Sequence, residues 1–162
     1  MFARYFVELP LAVDHVESIL TRDPHAWLPG IAEAANRRGD DLLAEVGFGE
    51  EVRISRTVAI ELAPFQRMPS KSVLPLRWKA AGGAGLFPEL EADLEIAALG
   101  ARTQLALSAR YVPPLGAVGR VIDRAVLSRV AEATIKDFLD AVADAVVEID
   151  RREAVATPPT DR

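Results

Sequence analysis

From Leu127 to Ile149, apolar and small residues recur at helical spacing: Leu127, Val130, Ala131, Thr134, Phe138, Ala141, Val142, Ala145 and Ile149. This period predicts one long helix with a single apolar face, read here as running from Leu115 to Asp150. Arg129, Glu132, Lys136, Asp137, Asp140, Asp144 and Glu148 take the opposite side. At 1.5 Å per residue such a rod is on the order of 45 Å long. It needs a broad apolar surface to lie on. Its small inward residues, Ala131, Thr134, Ala141 and Ala145, would let that surface come close.

The preceding chain supplies the surface in strands. Ala3 to Leu9 is rich in strand-forming residues and stops at Pro10. Asp14 is expected to cap a short helix to Arg22, with Glu17 completing the capping box. Asp23-Pro24 opens a second short helix carrying Trp27, Leu28, Ile31 and Ala35, bent at Pro29-Gly30. The period then becomes two. Strands are expected over 42–48, 51–62, 72–80, 89–98 and 102–112, with a loop over 64–70. Leu74, Leu76, Trp78 and Ala80 share one face, as do Leu90, Ala92, Leu94 and Ile96, and Thr103, Leu105, Leu107, Ala109 and Tyr111. Outward, Arg77 and Lys79 would oppose Glu91, Asp93 and Glu95, flanked by Arg102 and Arg110 from the next strand. A one-residue slip would bury that acidic row, so the pairing register is strongly specified. The class is therefore α+β: an antiparallel sheet of about six strands, two short helices after the first strand, and a long C-terminal helix on one face.

With 162 residues, half of them apolar, the chain is long enough for one core. Residues 1–150 are expected to form one domain and 151–162 a disordered tail. A net charge of −5 gives no electrostatic reason to bind nucleic acid or an anionic membrane. Having no cysteine excludes thiol catalysis, disulfides and cysteine zinc sites. His15 and His25 have no metal-ligand or nucleophile-pair spacing and read as surface or capping residues. The start, Met1-Phe2-Ala3-Arg4, lacks a signal-peptide layout, and a cytoplasmic location is expected. No cofactor, metal or stable membrane insertion is expected, and a homodimer is left open.

Several stretches carry a resemblance. They are Leu74-Pro75-Leu76-Arg77-Trp78-Lys79-Ala80, Leu86-Phe87-Pro88, Tyr111-Val112-Pro113-Pro114-Leu115-Gly116, Asp123-Arg124 and Arg129-Val130-Ala131-Glu132-Ala133-Thr134. Together with the element order from Arg4 to Glu148, they resemble the START-like (SRPBCC) superfamily, which includes polyketide cyclase/dehydrase and pollen-allergen groups. The resemblance implies the helix-grip fold, in which the sheet curves around the C-terminal helix. It also implies a cavity between the two for lipid-, sterol- or polyketide-like molecules. It implies no catalytic motif, since such folds serve carriers, sensors and enzymes.

Against that expectation, candidate residues can be weighed. Arg56 shares a strand face with Ile54, Val58 and Ile60, where a charge is costly unless paired. It either meets an anionic ligand group or lies near a strand end against a protein acid. Arg120, Asp123 and Arg124 give the start of the long helix a polar character, either as a cavity mouth or as an intrahelical ion pair. Trp78, Trp27, Phe87, Tyr111 and Phe138 could line a pocket, although inward aromatics more often simply fill a core. The resulting candidate ligand-binding set is Arg56, Trp78, Phe87, Leu94, Leu107, Tyr111, Arg124, Leu127, Thr134 and Phe138. Two other readings stay open: a cyclase or dehydratase acting on a polyketide-like substrate, and a cavity-poor domain acting through a protein partner.

Overall fold

The structure, a computed structural model, describes residues 2–24, 27–28, 30–31, 58–80, 90–111 and 124–156. Strand β1 (Phe2–Leu9) is followed by helix α1 (Val13–Arg22), then β2 (Val58–Leu62), β3 (Gln66–Arg67), β4 (Ser72–Ala80), β5 (Leu90–Leu99), β6 (Arg102–Tyr111) and the long helix α2 (Arg124–Ala156). The strands form one curved antiparallel sheet in the order β1-β6-β5-β4-β2, with β3 also pairing β4. A long C-terminal helix lies on the apolar face of this sheet, which is the helix-grip arrangement expected above.

Alternation dictates the sheet. On β5, Ala92, Leu94 and Ile96 are buried while Glu91 and Asp93 are exposed; on β6, Thr103, Leu105, Leu107 and Ala109 are buried. The β5–β6 hairpin closes through Gly100-Ala101, with Leu99 opposite Arg102. Gly100 has φ 61°, a conformation that two-residue hairpin turns require and that a side chain would strain. Pro75 sits inside β4, where a proline normally weakens a ladder. Its carbonyl accepts from the Ala63 N–H at 2.9 Å, so its missing donor faces the break between β2 and β3.

The outer face carries the expected ion pairs, with changed partners. Arg77 opposes Glu91 and donates to it at 2.7 Å, and Arg110 also opposes Glu91 in register. Arg102 does not flank the acidic row: it reaches Glu8 on β1 at 3.1 Å. Glu95 is held instead by Arg4 and Lys71, each at 3.0 Å, and by the Ser108 hydroxyl. Lys79 pairs in register with Ala59 on β2; the strand expected at 42–48 and the first part of that at 51–62 lie outside the described residues. The loop expected at 64–70 contains β3, whose two exposed residues pair with Val73 and Ser72. So short a strand has no alternation to reveal it.

Helix α1 also departs in detail. Its N-cap is Ala12 and no side chain caps it; Asp14 lies inside the first turn, where its charge still favours the helix dipole. Glu17 is buried rather than part of a capping box. After α1, Pro24, Trp27, Leu28, Gly30 and Ile31 are helical where the second short helix is expected, and Trp27, Leu28 and Ile31 are buried.

Helix α2 runs through Ala156, into the stretch read as tail. Its buried face is Ile135, Phe138, Leu139, Val142, Ala143 and Val146, while Thr134, Ala141, Ala145 and Ile149 are only half-buried. The apolar stripe is thus turned by about one residue, ~100°, from the expected one. The helix packs on β1 and β6, and α1 packs on β5, β6 and α2. The contact between the helices is tied at its rim by His15 Nε2 with Asp150 at 2.8 Å and by Arg22 with Glu153. Lys136, paired with Asp140, stands over the ring of Tyr5 at 5.3 Å.

Leu139→Ala is expected to cost about 2–5 kcal/mol in urea unfolding, the range for truncating a fully buried leucine. A second expectation concerns acid. Partial burial pushes the Glu95 carboxyl up, but Lys71, Ser108 and Arg4 outweigh it and hold it below the ordinary range. Its contribution to stability is therefore complete above the unfolded value of about 4.3 and is lost as pH falls through the lower folded value. Glu95→Gln should flatten the stability-versus-pH curve below pH ~4.3, read by denaturant unfolding at several pH values.

Candidate functional site

The inner face of the sheet is organised in rungs. One runs Leu74, Leu94, Leu107, Tyr5 across β4, β5, β6 and β1. The next runs Leu62, Leu76, Ala92, Ala109, Ala3 from β2 to β1. In the backbone register, Ile60, Trp78, Leu90 and Tyr111 align beyond it. The middle rung ends in three alanines. These small side chains run across β5, β6 and β1 beside Leu94 and Leu107, and Ala92 and Ala109 are themselves buried.

Above this surface lie the two helices. Helix α2 packs on β1 and β6; α1 packs on β5 and β6 and reaches β4 through the Glu17–Ser72 hydrogen bond. Leu74 and Leu76 on β4 are as buried as the rest of the core, and Ile60 and Leu62 on β2 pack against the same cluster.

Of the expected ligand-binding residues, the structure brings Leu94, Leu107 and Phe138 together in that cluster, each almost fully buried. Thr134 lies half-buried beside it on α2. The backbone of Trp78 lies in β4, that of Tyr111 at the end of β6, and those of Arg124 and Leu127 at the start of α2. Arg56 and Phe87 lie outside the described residues.

Two features escaped the sequence reading. The first is the buried carboxylate of Glu17. It accepts from the Ser72 hydroxyl at 2.6 Å and from Nε and Nη2 of Arg67 at 3.1 Å, joining α1 to β3 and β4. Arg67 also lies over the ring of Phe65. An acid on the buried side of an amphipathic helix was the available signal. The second is Trp27, whose indole Nε1 is buried with no hydrogen-bond partner. It is the one such side-chain atom among the described residues.

Among the described residues the buried polar side chains are Glu17, Ser72 and Thr103. Glu17 and Ser72 bond each other, and Thr103 donates to the Leu11 carbonyl at 2.7 Å. All three are committed to holding elements together. The described residues contain no cluster of three or more metal-ligating side chains. No described helix is long and apolar enough to cross a membrane.

No protein-family model matches the chain, and no curated protein matches it significantly. Solved structures similar to it include DynU16 from the dynemicin biosynthetic locus, at 16% identity and TM-score 0.49 over 88% of this chain. The chain spans 46% of the length of that protein. A protein from Thermus thermophilus is similar at 15% identity and TM-score 0.48, over 92% of this chain and 99% of the other. The ZhuI aromatase/cyclase from Streptomyces sp. R1128 is similar at 15% identity and TM-score 0.45, over 90% and 93%. Likenesses at this level assign no ligand or reaction to this chain.

Ser72→Ala would leave one buried carboxylate oxygen of Glu17 without its donor and is expected to cost about 1–3 kcal/mol. Arg67 is mostly exposed and can rehydrate, so Glu17→Gln, which keeps an acceptor for Ser72, should cost less than Ser72→Ala. Urea denaturation of the two variants checks the order.

Proposed function

We propose that this chain binds an apolar small molecule, lipid-, sterol- or polyketide-like, between the inner face of the sheet and the C-terminal helix. The observation that carries the reading is the row of three small side chains, Ala92, Ala109 and Ala3, beside Leu94 and Leu107 on the apolar face of the sheet under the C-terminal helix. Burial of apolar surface, worth about 25 cal/mol per Å², would supply the affinity. Leu94, Leu107 and Phe138 are the proposed apolar contacts, with Trp78, Phe87, Leu127 and Thr134 as further lining. Arg56, Tyr111 and Arg124 are the proposed orienting groups.

Binding is favoured over acid–base catalysis by the polar inventory of the described residues. A cyclase or dehydratase needs a proton-transferring side chain free to meet its substrate. Glu17, Ser72 and Thr103 are each engaged within the protein.

Ala92→Leu separates a guest site from a filled core. If the alanine row receives a guest, the added leucine occupies the guest's space. Stability should then stay within about 1 kcal/mol of wild type, while affinity for the neutral fluorophore N-phenyl-1-naphthylamine falls about tenfold or more. If the space over that row is already filled, the variant should lose about 1–3 kcal/mol through overpacking and the wild type should not bind the fluorophore. Fluorescence titration and urea unfolding read the two quantities.

A further inference from the structure

Trp27 belongs to the apolar cluster that contains Leu94, Leu107 and Phe138, and is only 5% exposed. Its Nε1–H has no acceptor among the described residues. Buried tryptophan N–H groups normally find a partner, because an unpaired donor loses its hydration and gains nothing in return. A bound molecule can bring the acceptor that this donor lacks. A trapped water is a poor fit, since buried waters typically make about three hydrogen bonds and need several polar neighbours. Here Trp27 Nε1 is the one unsatisfied buried side-chain atom among the described residues. A carbonyl oxygen on an apolar skeleton, by contrast, is satisfied by one donor. A carboxylate fits worse: the buried charged and polar residues described are Glu17, Ser72 and Thr103, with no cation among them.

From this we infer that the indole N–H of Trp27 is the hydrogen-bond donor that selects the guest: a neutral apolar molecule bearing a carbonyl oxygen. The inference rests on the proposed binding function and narrows its ligand class. It also accounts for a tryptophan where a purely space-filling role would be served as well by phenylalanine or leucine.

The matched probes fluorene and 9-fluorenone, which share a planar skeleton and differ by one carbonyl, test it. Affinities are read by displacement of N-phenyl-1-naphthylamine. Indole N–H resonances are read in ¹⁵N-labelled protein, with Trp27 told from Trp78 by the spectrum of Trp78→Phe. Wild-type protein should prefer fluorenone, and the Trp27 indole proton should move downfield with fluorenone but not with fluorene. Trp27→Phe should weaken fluorenone by about two- to tenfold, the worth of one neutral hydrogen bond, and leave fluorene nearly unchanged. The two-ligand NMR comparison uses wild-type protein and decides the matter even if Trp27→Phe fails to fold. If both probes bind but the Trp27 resonance responds to them alike, or the preference survives in Trp27→Phe, the donor role is wrong while apolar binding stands. If neither probe binds, both readings fall together.

Discussion

The register of β4, β5, β6 and β1 fixes everything placed on the sheet. Setting Leu94 against Leu107 and Leu74 brings leucines from three strands onto one inner rung and sends Glu91, Asp93 and Glu95 to the other face. A slip of one residue would carry the acidic row inward and the leucines out. Each buried leucine contributes about 1.5–3 kcal/mol, whereas exposed ion pairs such as Arg77–Glu91 contribute about 0–1 kcal/mol. Burial therefore chooses the register, and the outer charges follow it. The partner exchange on that outer face fits this ranking. Glu95 and Arg102 find different partners from those expected, and the strand pairing is unaffected.

Helix α2 is held along one part of the sheet. Its buried face meets β1 and β6, and its later turns are pinned to α1 through Asp150 and Glu153. Glu17 anchors α1 in turn to β3 and β4. The polar links thus connect helices to strand ends and to each other at the rim. The centre between sheet and helix is left to leucine, isoleucine, valine, alanine and aromatic side chains.

Most of the sheet was legible because alternation is a local signal: in β5 and β6 each residue reports its own face. The seat of α2 was harder to read. Ala141, Val142, Ala143, Ala145, Val146 and Val147 spread apolar character around much of the helix, and the small residues drew the stripe toward Thr134 and Ala145. The polar arc was the better guide. Asp137, Asp140, Asp144 and Glu148 lie opposite Ile135, Leu139, Val142 and Val146, which are the residues that bury. Glu17 was misread because S/T/D-x-x-E is a local pattern, while its real partners, Arg67 and Ser72, lie some fifty residues away in sequence. β3 is too short to alternate. The unpaired N–H of Trp27 could not have been read at all, since the absence of an acceptor is a property of the folded interior. In the candidate site, the inward leucines and Phe138 were legible from period alone. The row of alanines emerges only once pairing aligns Ala92, Ala109 and Ala3, which are far apart in the chain.

The proposed guest space lies between the alanine rung and the C-terminal helix. Xenon enters dry apolar cavities and is located directly by its scattering in a crystal. A crystal of the ligand-free protein under xenon pressure should show xenon over Ala92 and Ala109, beside Leu94 and Leu107. A xenon-pressurised crystal with no xenon between sheet and helix, and with side chains in close contact over those alanines, would contradict the account.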